Sequence, residues 1–340
     1  MNDENAMDGI GITGEASVDA LPYEEVSVVE PLPDGAGARM RFVAFNTLVD
    51  CAVYAPPEKA RSILEKARED CRTYERLLSR TIPTSDIGRL NAAEGEAVRI
   101  DPRTADVLQA ALGYCEASEG IFDITVAPLV NLWDFKQGIE PTTEELAEAA
   151  EHVGWRKVDI WAQCGGNWFA QLRDPAAAVD LGGIAKGWIA DALGKMMLRC
   201  GATGAMINLG GNVHVVGEKP NGAPWRVGIR EPKPSAEAPA SLRTVELEHG
   251  SMVTSGTYER AFERDGVLFH HILDPRTGLP VTSPWASVSV VADRSLDAEG
   301  FSTTLLALGL ERSRELAKDH PEILQAYFTT PEGAIELLRS

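Results

Sequence analysis

Hydrophobic and polar positions in this 340-residue chain follow two different periods. In four stretches apolar residues recur every three or four positions, which predicts amphipathic helices. These stretches are residues 57–79, 103–118, 141–152 and the segment that follows Gly183 as far as Cys200. Near the end of the chain, two further helices are predicted at about residues 296–308 and 311–319.

Shorter stretches, bounded by glycine and proline, are apolar or alternate between apolar and polar residues, and they predict β-strands. They are residues 41–54, 157–161, 168–173, 178–181, 205–209, 213–216, 225–229, 243–248, 258–263, 267–273, 286–292 and 324–329. Polar loops are predicted at residues 81–91 and 232–239. Because neighbouring strands are joined by short turns, we expect antiparallel sheets with the helices grouped on one face, which is an α+β fold.

Negative charge is concentrated at the start of the chain. The net charge is −19, and the first 34 residues hold nine acidic residues but no lysine or arginine. Such a composition offers little apolar surface to offset the entropy of ordering. We therefore predict a disordered acidic tail over residues 1–38 and one domain over residues 39–340. The acidic balance disfavours nucleic acid and anionic membranes as partners.

Features that are absent narrow the class of protein further. No run of about 18 apolar residues occurs, so we predict no membrane span. The N-terminus lacks the basic and apolar regions of a signal peptide, so we expect a cytoplasmic protein if Met1 is the native start. Five scattered cysteines without a CxxC pair argue against a zinc cluster or a disulfide framework.

The first candidate for chemistry is the segment Asp180-Leu-Gly-Gly-Ile-Ala-Lys-Gly187, which joins a predicted strand to a predicted helix. The amides and dipole of a helix N-terminus attract anions, and glycines let the backbone approach a ligand closely. Lys186 adds a positive charge. A phosphate site and an ordinary glycine turn beside a solvated lysine both fit this pattern. The P-loop and dinucleotide-binding glycine motifs are absent.

The second candidate is the pair Glu299 and Thr303, at the start of a predicted helix. Residues four apart lie on the same side of a helix, so the carboxylate and the hydroxyl face one direction. Together with a backbone carbonyl they suit Mg²⁺, which keeps waters and substrate phosphates as its other ligands. The alternative is that Glu299 complements the helix dipole and Thr303 bonds to a backbone carbonyl.

The third candidate is the stretch from His270 to Gly278, where a predicted strand ends in the turn signal Asp-Pro-x-Thr-Gly. Neighbouring residues on a strand point to opposite faces, so His270 and His271 differ in environment. His271 lies on the face of Phe269 and Leu273, which predicts a partly buried role for it. A packed, hydrogen-bonded histidine is the alternative, and Asp274 has the alternative role of opening the turn.

Taken together, these segments resemble the ApbE family of FAD:protein FMN transferases over about residues 40–330. The matching segments, in the family's order, are residues 78–80, 89–91, 120–123, 125–128, 132–133, 180–187, 208–211, 255–256, 258–260 and 270–278. The two longest, DLGGIAKG and HHILDPRTG, are highly specific in combination.

The resemblance implies two T-fold-like modules and an Mg²⁺-dependent reaction on FAD. FMN is attached through its phosphate to a Ser or Thr hydroxyl of an acceptor flavoprotein, and AMP is released. By position, the resemblance assigns FAD to Ile121, Phe122, Asp123, Asp180, Lys186 and Ile272. It assigns Mg²⁺ to the Gly183 carbonyl, Glu299 and Thr303. It assigns catalysis to His271 with Asp274.

Some positions depart from the family's pattern. The family usually has aspartate where this chain has Glu299, and Mg²⁺ demands near-ideal octahedral geometry, so Asp297 is an alternative ligand. The family's Gly-Gly-Asp is here Gly210-Gly211-Asn212. Besides a transferase, the sequence therefore leaves open an Mg²⁺-dependent FAD pyrophosphatase and a flavin-binding protein without catalysis.

Overall fold

The computed structural model describes residues 28–33, 35–232 and 241–339. Its helices are α1 (Pro57–Leu78), α2 (Asp86–Asn91), α3 (Pro102–Ala117), α4 (Ala127–Val130), α5 (Thr143–Glu151), α6 (Ala185–Arg199) and α7 (Ser295–Asp319). Its strands are β1 (Val29–Pro31), β2 (Gly37–Ala44), β3 (Thr47–Tyr54), β4 (Val98–Ile100), β5 (Val158–Gln163), β6 (Asn167–Leu172), β7 (Gly204–Leu209), β8 (Asn212–Gly217), β9 (Trp225–Arg230), β10 (Ser241–Leu247), β11 (Gly250–Gly256), β12 (Ala261–Arg264), β13 (Val267–His270), β14 (Ser287–Ala292), β15 (Gln325–Thr329) and β16 (Ile335–Arg339).

The framework is a nine-stranded sheet in the order β1-β2-β3-β7-β8-β11-β14-β15-β16, and every neighbouring pair is antiparallel. The sheet has two halves of similar plan. In the first half, helices α1 and α6 come between the strand pairs β2-β3 and β7-β8 in chain order. In the second, β11-β14 and β15-β16 flank α7. The pairing of β8 with β11 joins the two halves.

Helices cover one face of this sheet. The apolar side of α1, with Ile63 and Leu64, packs together with α6 on the first half of the sheet, and α7 covers the second half through Phe301 and Leu305. The opposite face is covered by the β9-β10 ribbon, whose Trp225 belongs to a separate cluster. The predicted α+β class, with antiparallel sheets and helices on one face, is confirmed.

Two smaller units pack beside the sheet. Strands β4, β6 and β5 form a three-stranded sheet, and β12 and β13 form a hairpin. The rings of Phe262 and Phe269 on that hairpin stack at 5.1 Å. Trp133 packs against Phe269 and donates a 3.0 Å hydrogen bond to the Gly278 carbonyl. This contact fixes the end of the turn that follows β13.

The strand predicted at residues 41–54 is instead part of a hairpin of two strands, β2 and β3. Phe45 and Asn46 form its turn, and both have a φ of 55°. The Phe45 amide donates a 2.8 Å hydrogen bond to Oε1 of Glu75, which supports this uncommon backbone conformation. The alternation of apolar and polar residues did not reveal this turn, because an aromatic residue occupies one of its positions.

Other differences from the predicted elements are local. The loop predicted at 81–91 contains α2, which begins after Ser85, a side chain that caps the Gly88 amide at 2.8 Å. Residues 178–181 form only an isolated bridge to Val126. Strands β1, β4, β11 and β16 were not predicted. The two helices predicted after residue 295 are one element, α7, interrupted at Gly309, where φ is 71°.

The predicted acidic tail and the predicted 232–239 loop lie largely outside the described residues. Within them, the sheet already begins at Val29, which is earlier than the domain start that we predicted at residue 39. In the part of the chain that the structure describes, no helix is long and apolar enough to cross a membrane.

Candidate active site

The loop that leads into α6 is held by the carboxylate of Asp180. Its Oδ1 accepts a 2.7 Å hydrogen bond from the Gly182 amide, and its Oδ2 lies 2.8 Å from Nε of Arg80. The Asp180 amide itself donates to the Ile124 carbonyl at 2.7 Å. Asp180 therefore fixes the loop from which α6 starts, and the amides of a helix start attract anions.

Lys186, in the first turn of α6, links this loop to α7. Its Nζ donates a 2.9 Å hydrogen bond to the Gly182 carbonyl and lies 2.8 Å from Oε1 of Glu299. The Glu299 side chain is only 7% exposed, whereas that of Lys186 is 26% exposed. The predicted phosphate-binding residue and the predicted metal ligand are thus in direct contact.

The two helices are in close contact at Gly187. A Cβ added to Gly187 would lie 2.7 Å from the Ser295 carbonyl oxygen and 2.8 Å from Cβ of Glu299. Real Cβ atoms essentially never make contacts this short. A residue without a side chain is therefore required for Glu299 to reach Lys186.

We expect Gly187→Ala to destabilise the protein by roughly 1–3 kcal/mol, the usual cost of overpacking. The matched control is Gly113→Ala on α3, where an added Cβ meets nothing within 4 Å. Alanine is favoured over glycine in a helix, so this control should stabilise by roughly 0.5–1 kcal/mol. Urea unfolding of both variants checks the difference. Equal stability of the two variants would contradict the close approach at Gly187.

The start of α7 is anchored to α6 by Asp191. Its buried carboxylate accepts hydrogen bonds from the amides of Ser295 at 2.7 Å and Leu296 at 3.1 Å. A carboxylate in this position satisfies free amides and complements the helix dipole. His214 lies 3.7 Å from Asp191, and burial lowers the pKa of this histidine. Asp191 thereby sets the position from which Glu299 projects.

Thr303 lies one turn after Glu299 on the same side of α7. Its Oγ1 is 3.0 Å from the hydroxyl of Ser255 on β11, and Ser255 is also 2.8 Å from the hydroxyl of Ser302. On the α6 side, Gly183 lies against the ring of Phe122, which an added Cβ would approach to 3.0 Å. Thr303 thus contacts β11 and Gly183 contacts Phe122, while the contact between Lys186 and Glu299 joins α6 to α7.

Asp297, the alternative metal ligand, points elsewhere. Its carboxylate accepts a hydrogen bond from the hydroxyl of Tyr114 on α3 and lies 3.8 Å from Arg294. Burial raises the pKa of Asp297 above its usual range. Of the two acidic residues, Glu299 is the one that contacts Lys186.

The segment Ile121-Phe122-Asp123 lies after α3, beside the loop that leads into α6. Oδ1 of Asp123 accepts hydrogen bonds from the amide and the hydroxyl of Thr125, at 2.8 and 2.6 Å. Its Oδ2 accepts one from the Trp155 amide at 3.0 Å. Burial nevertheless raises the pKa of Asp123. In the structure this carboxylate orders its own loop, and Phe122 provides the contact with Gly183.

His271 lies just beyond β13 and is half-buried. Its Nδ1 is 2.8 Å from the Glu259 carbonyl oxygen, which can only accept, so Nδ1 carries the proton and Nε2 is the basic nitrogen. Burial lowers the pKa of His271 to about 4, and the charges of Arg260 and Lys186 act in the same direction. Lys186 is therefore within electrostatic reach of His271.

His270, in contrast, is the packed histidine. Its Nε2 donates to the Val281 carbonyl at 3.2 Å, and its Nδ1 accepts from the Ile272 amide at 3.3 Å. Ile272 is buried in the hydrophobic cluster under α7. Both residues stabilise the backbone next to His271.

Asp274 is engaged within its own turn. Its two carboxylate oxygens accept hydrogen bonds from Nε and Nη2 of Arg276 at 2.9 and 2.7 Å. Its backbone carbonyl accepts one from the Gly278 amide at 2.8 Å. Arg276 lowers the pKa of Asp274. The structure does not bring Asp274 into hydrogen-bond contact with His271, so it gives Asp274 a role in the turn.

Three residues of this site were not predicted as functional. Arg80 lies in a segment that matched the family, but nothing in the sequence pairs it with Asp180. Ser255 lacks any hydrolase motif, and Asn212 follows a glycine pair that is typical of a turn. Arg80 and Ser255 lie within family-like segments and Asn212 directly follows one, and this was the only available signal.

The fold and these motifs match known proteins. The chain matches the model of the ApbE family over residues 45–328. It is 34% identical over 308 residues to FAD:protein FMN transferase of Treponema pallidum (strain Nichols), covering 86% of this chain and 84% of that protein. It is 31% identical over 280 residues to FAD:protein FMN transferase of Klebsiella pneumoniae (strain 342), covering 81% and 79%.

Solved structures show the same fold. The ApbE protein of Thermotoga maritima has a TM-score of 0.79 at 30% identity, covering 89% of this chain and 97% of that chain. The apo flavinyl transferase ApbE of Pseudomonas stutzeri has a TM-score of 0.75 at 26% identity, covering 92% and 95%. This chain belongs to the ApbE family, as its sequence motifs predicted.

Proposed function

We propose that this protein transfers FMN from FAD to a Ser or Thr hydroxyl of an acceptor flavoprotein, in an Mg²⁺-dependent reaction that releases AMP. The observation that carries the proposal is the contact between Lys186 and Glu299 where α6 crosses α7. It brings the Lys186 ammonium against the buried carboxylate of Glu299, and the same positive charge contributes to the lowered pKa of His271. FAD:protein FMN transferase is also the name of the relatives from T. pallidum and K. pneumoniae.

The residues present fit Mg²⁺. Glu299 offers a carboxylate, Thr303 a hydroxyl and Gly183 a carbonyl, and Mg²⁺ takes oxygen ligands while keeping waters and substrate phosphates. The Lys186 ammonium already lies against Glu299 and the Gly182 carbonyl, so this position favours a cation. The described residues contain no group of three or more His, Cys, Asp or Glu side chains that could hold a metal.

When bound, Mg²⁺ would neutralise charge that develops on the diphosphate. The chain's own groups would place the substrate. The amides at the start of α6 and the ammonium of Lys186 would bind the diphosphate, and Phe122 would lie beside the flavin nucleotide. Arg80 would hold Asp180, and with it the loop, in place.

His271 would act on the acceptor hydroxyl. Its Nε2 takes the proton while the hydroxyl oxygen forms a bond to the FMN-side phosphorus. The bond from that phosphorus to the bridging oxygen breaks, and AMP leaves with the bridging oxygen. The product is a phosphodiester between FMN and the acceptor side chain.

Substrate binding would also prepare this base. Burial and the charges of Arg260 and Lys186 lower the pKa of His271 to about 4, which makes it a weak base in the free enzyme. The negative diphosphate would offset the positive charges and raise the pKa toward the value at which a base works best. FAD binding would therefore make His271 a stronger base than it is in the free enzyme.

The direct test is to incubate the protein with FAD and Mg²⁺, with and without a flavoprotein acceptor. AMP should appear, and the acceptor should gain the mass of one FMN moiety at a Ser or Thr. Omitting Mg²⁺ should stop both. AMP and free FMN without labelled acceptor would indicate a pyrophosphatase, and intact FAD after long incubation would indicate a binding protein; either result contradicts the proposal.

We expect Lys186→Met to weaken FAD binding by about 10- to 100-fold, the range for a lost hydrogen bond to a charged group. In the absence of FAD it should strengthen Mg²⁺ binding, because the ammonium no longer competes for Oε1 of Glu299. Calorimetric titration measures both affinities. Lys195→Met, on the exposed side of the same helix, is the matched control. Unaltered FAD affinity would exclude Lys186 as a phosphate ligand.

A further inference from the structure

Asn212, at the start of β8, is buried beneath the candidate metal site. Its Nδ2 donates a hydrogen bond to Oε2 of Glu299, and its Oδ1 accepts one from the hydroxyl of Ser295 at 2.8 Å. Only 1% of Asn212 is exposed. Both ends of the amide are therefore used, and they connect β8 to two positions on α7.

The orientation of this amide follows from its partners. The Ser295 hydroxyl lies 2.8 Å from Oδ1 of Asn212 and 3.1 Å from the hydroxyl of Ser251 on β11. A rotated amide would place its oxygen against the carboxylate of Glu299, and two acceptors cannot share a hydrogen bond. Only the observed orientation presents a donor to Glu299.

Glu299 needs such a partner because its side chain is long. A glutamate loses considerable rotamer freedom when it is fixed in one conformation. Lys186 contacts Oε1, and Asn212 contacts Oε2. With Oε2 held by a buried amide, Oε1 is directed toward the Gly182 carbonyl and the start of α6.

We propose that Asn212 is a positioning residue that holds the Glu299 carboxylate in the orientation that binds the divalent cation. This inference rests on the proposed function, since it concerns the same metal site. Residues that orient metal ligands typically contribute about 10- to 100-fold to metal affinity or activity. Asn212 acts through Glu299 and does not itself contact the cation.

The test compares Asn212→Ala with Ser251→Ala in the full-length protein. Both remove a buried polar group from the same network, but Ser251 does not contact Glu299. Calorimetry with MgCl₂ alone should show about 10- to 100-fold weaker binding for Asn212→Ala and wild-type binding for Ser251→Ala. AMP release by Asn212→Ala should need correspondingly more Mg²⁺ and approach the wild-type rate at saturation.

A second variant covers the case in which Asn212→Ala does not fold. Ser295→Ala removes only the donor that fixes the amide orientation, so it should weaken Mg²⁺ binding in the same direction but less. Wild-type Mg²⁺ affinity in the Asn212 and Ser295 variants, or an equal loss in Ser251→Ala, would overturn the inference while AMP release by the wild type still stands. Absence of AMP release by the wild type would instead contradict the proposed function.

Discussion

Replacing Glu299 by glutamine will abolish Mg²⁺-dependent cleavage of FAD while the protein remains folded. The change keeps the size of the side chain and removes only its negative charge. Glu299 is the one carboxylate in the predicted ligand set, so the effect should exceed the roughly 100-fold upper range for residues that merely orient ligands. The initial rate of AMP release, measured over a range of Mg²⁺ concentrations, checks this expectation.

The matched control is Asp297→Asn. Asp297 lies on the same turn of α7, but its carboxylate faces Tyr114 and Arg294 rather than Lys186. This variant should retain Mg²⁺-dependent turnover, and thermal unfolding of both variants should show that each is folded. Unchanged turnover in Glu299→Gln, or its loss in Asp297→Asn alone, would reverse the assignment of the two carboxylates.

Replacing His271 by glutamine should slow FMN transfer by about 10²- to 10⁴-fold, the usual contribution of a general base. Glutamine is able to donate to the Glu259 carbonyl, as Nδ1 of His271 does, but it has no basic nitrogen. The measurement is the rate of flavin attachment to the acceptor. His249→Gln, an exposed histidine paired with Asp293, is the control and should have no effect. Full activity of His271→Gln would exclude this residue as the base.

The pH profile adds a second, independent check on His271. The base works only when neutral, and the pKa of His271 is about 4 in the free protein. The ratio kcat/KM, which reports the free enzyme, should therefore fall only below about pH 5, whereas kcat should fall at a higher pH because bound diphosphate raises the pKa. Identical profiles with a midpoint near 6.5 would contradict the environment described for His271.

The local pattern of apolar residues predicted most of the helices and strands. It failed where the conformation of a segment depends on contacts with distant parts of the chain. The helices from Pro57 and Pro102 carry regular apolar faces and were predicted nearly to their ends. The turn at Phe45 was missed because an apolar residue there is held by a distant glutamate, Glu75. Strand β11 was missed because it is rich in small polar residues such as Ser251, whose burial depends on neighbouring strands.

Candidate site segments were visible in the sequence, but their contacts were not. Lys186 and Glu299 were singled out separately, and nothing in either motif states that they touch. The requirement for Gly187 depends on a helix more than 100 residues later, so it appears only when α7 is in place. Asn212 resembled a turn residue because its partners, Glu299 and Ser295, also lie on α7.

The origin of α6 and α7 in different halves of the sheet bears on how the protein is made. Lys186 lies in α6, before strands β7 to β14, whereas its partner Glu299 lies in α7, which follows them. During synthesis, Lys186 and the start of α6 therefore emerge before the Glu299 carboxylate. If the proposed function holds, we expect a nascent or proteolytically shortened chain that ends before α7 to be unable to consume FAD, because it lacks Glu299.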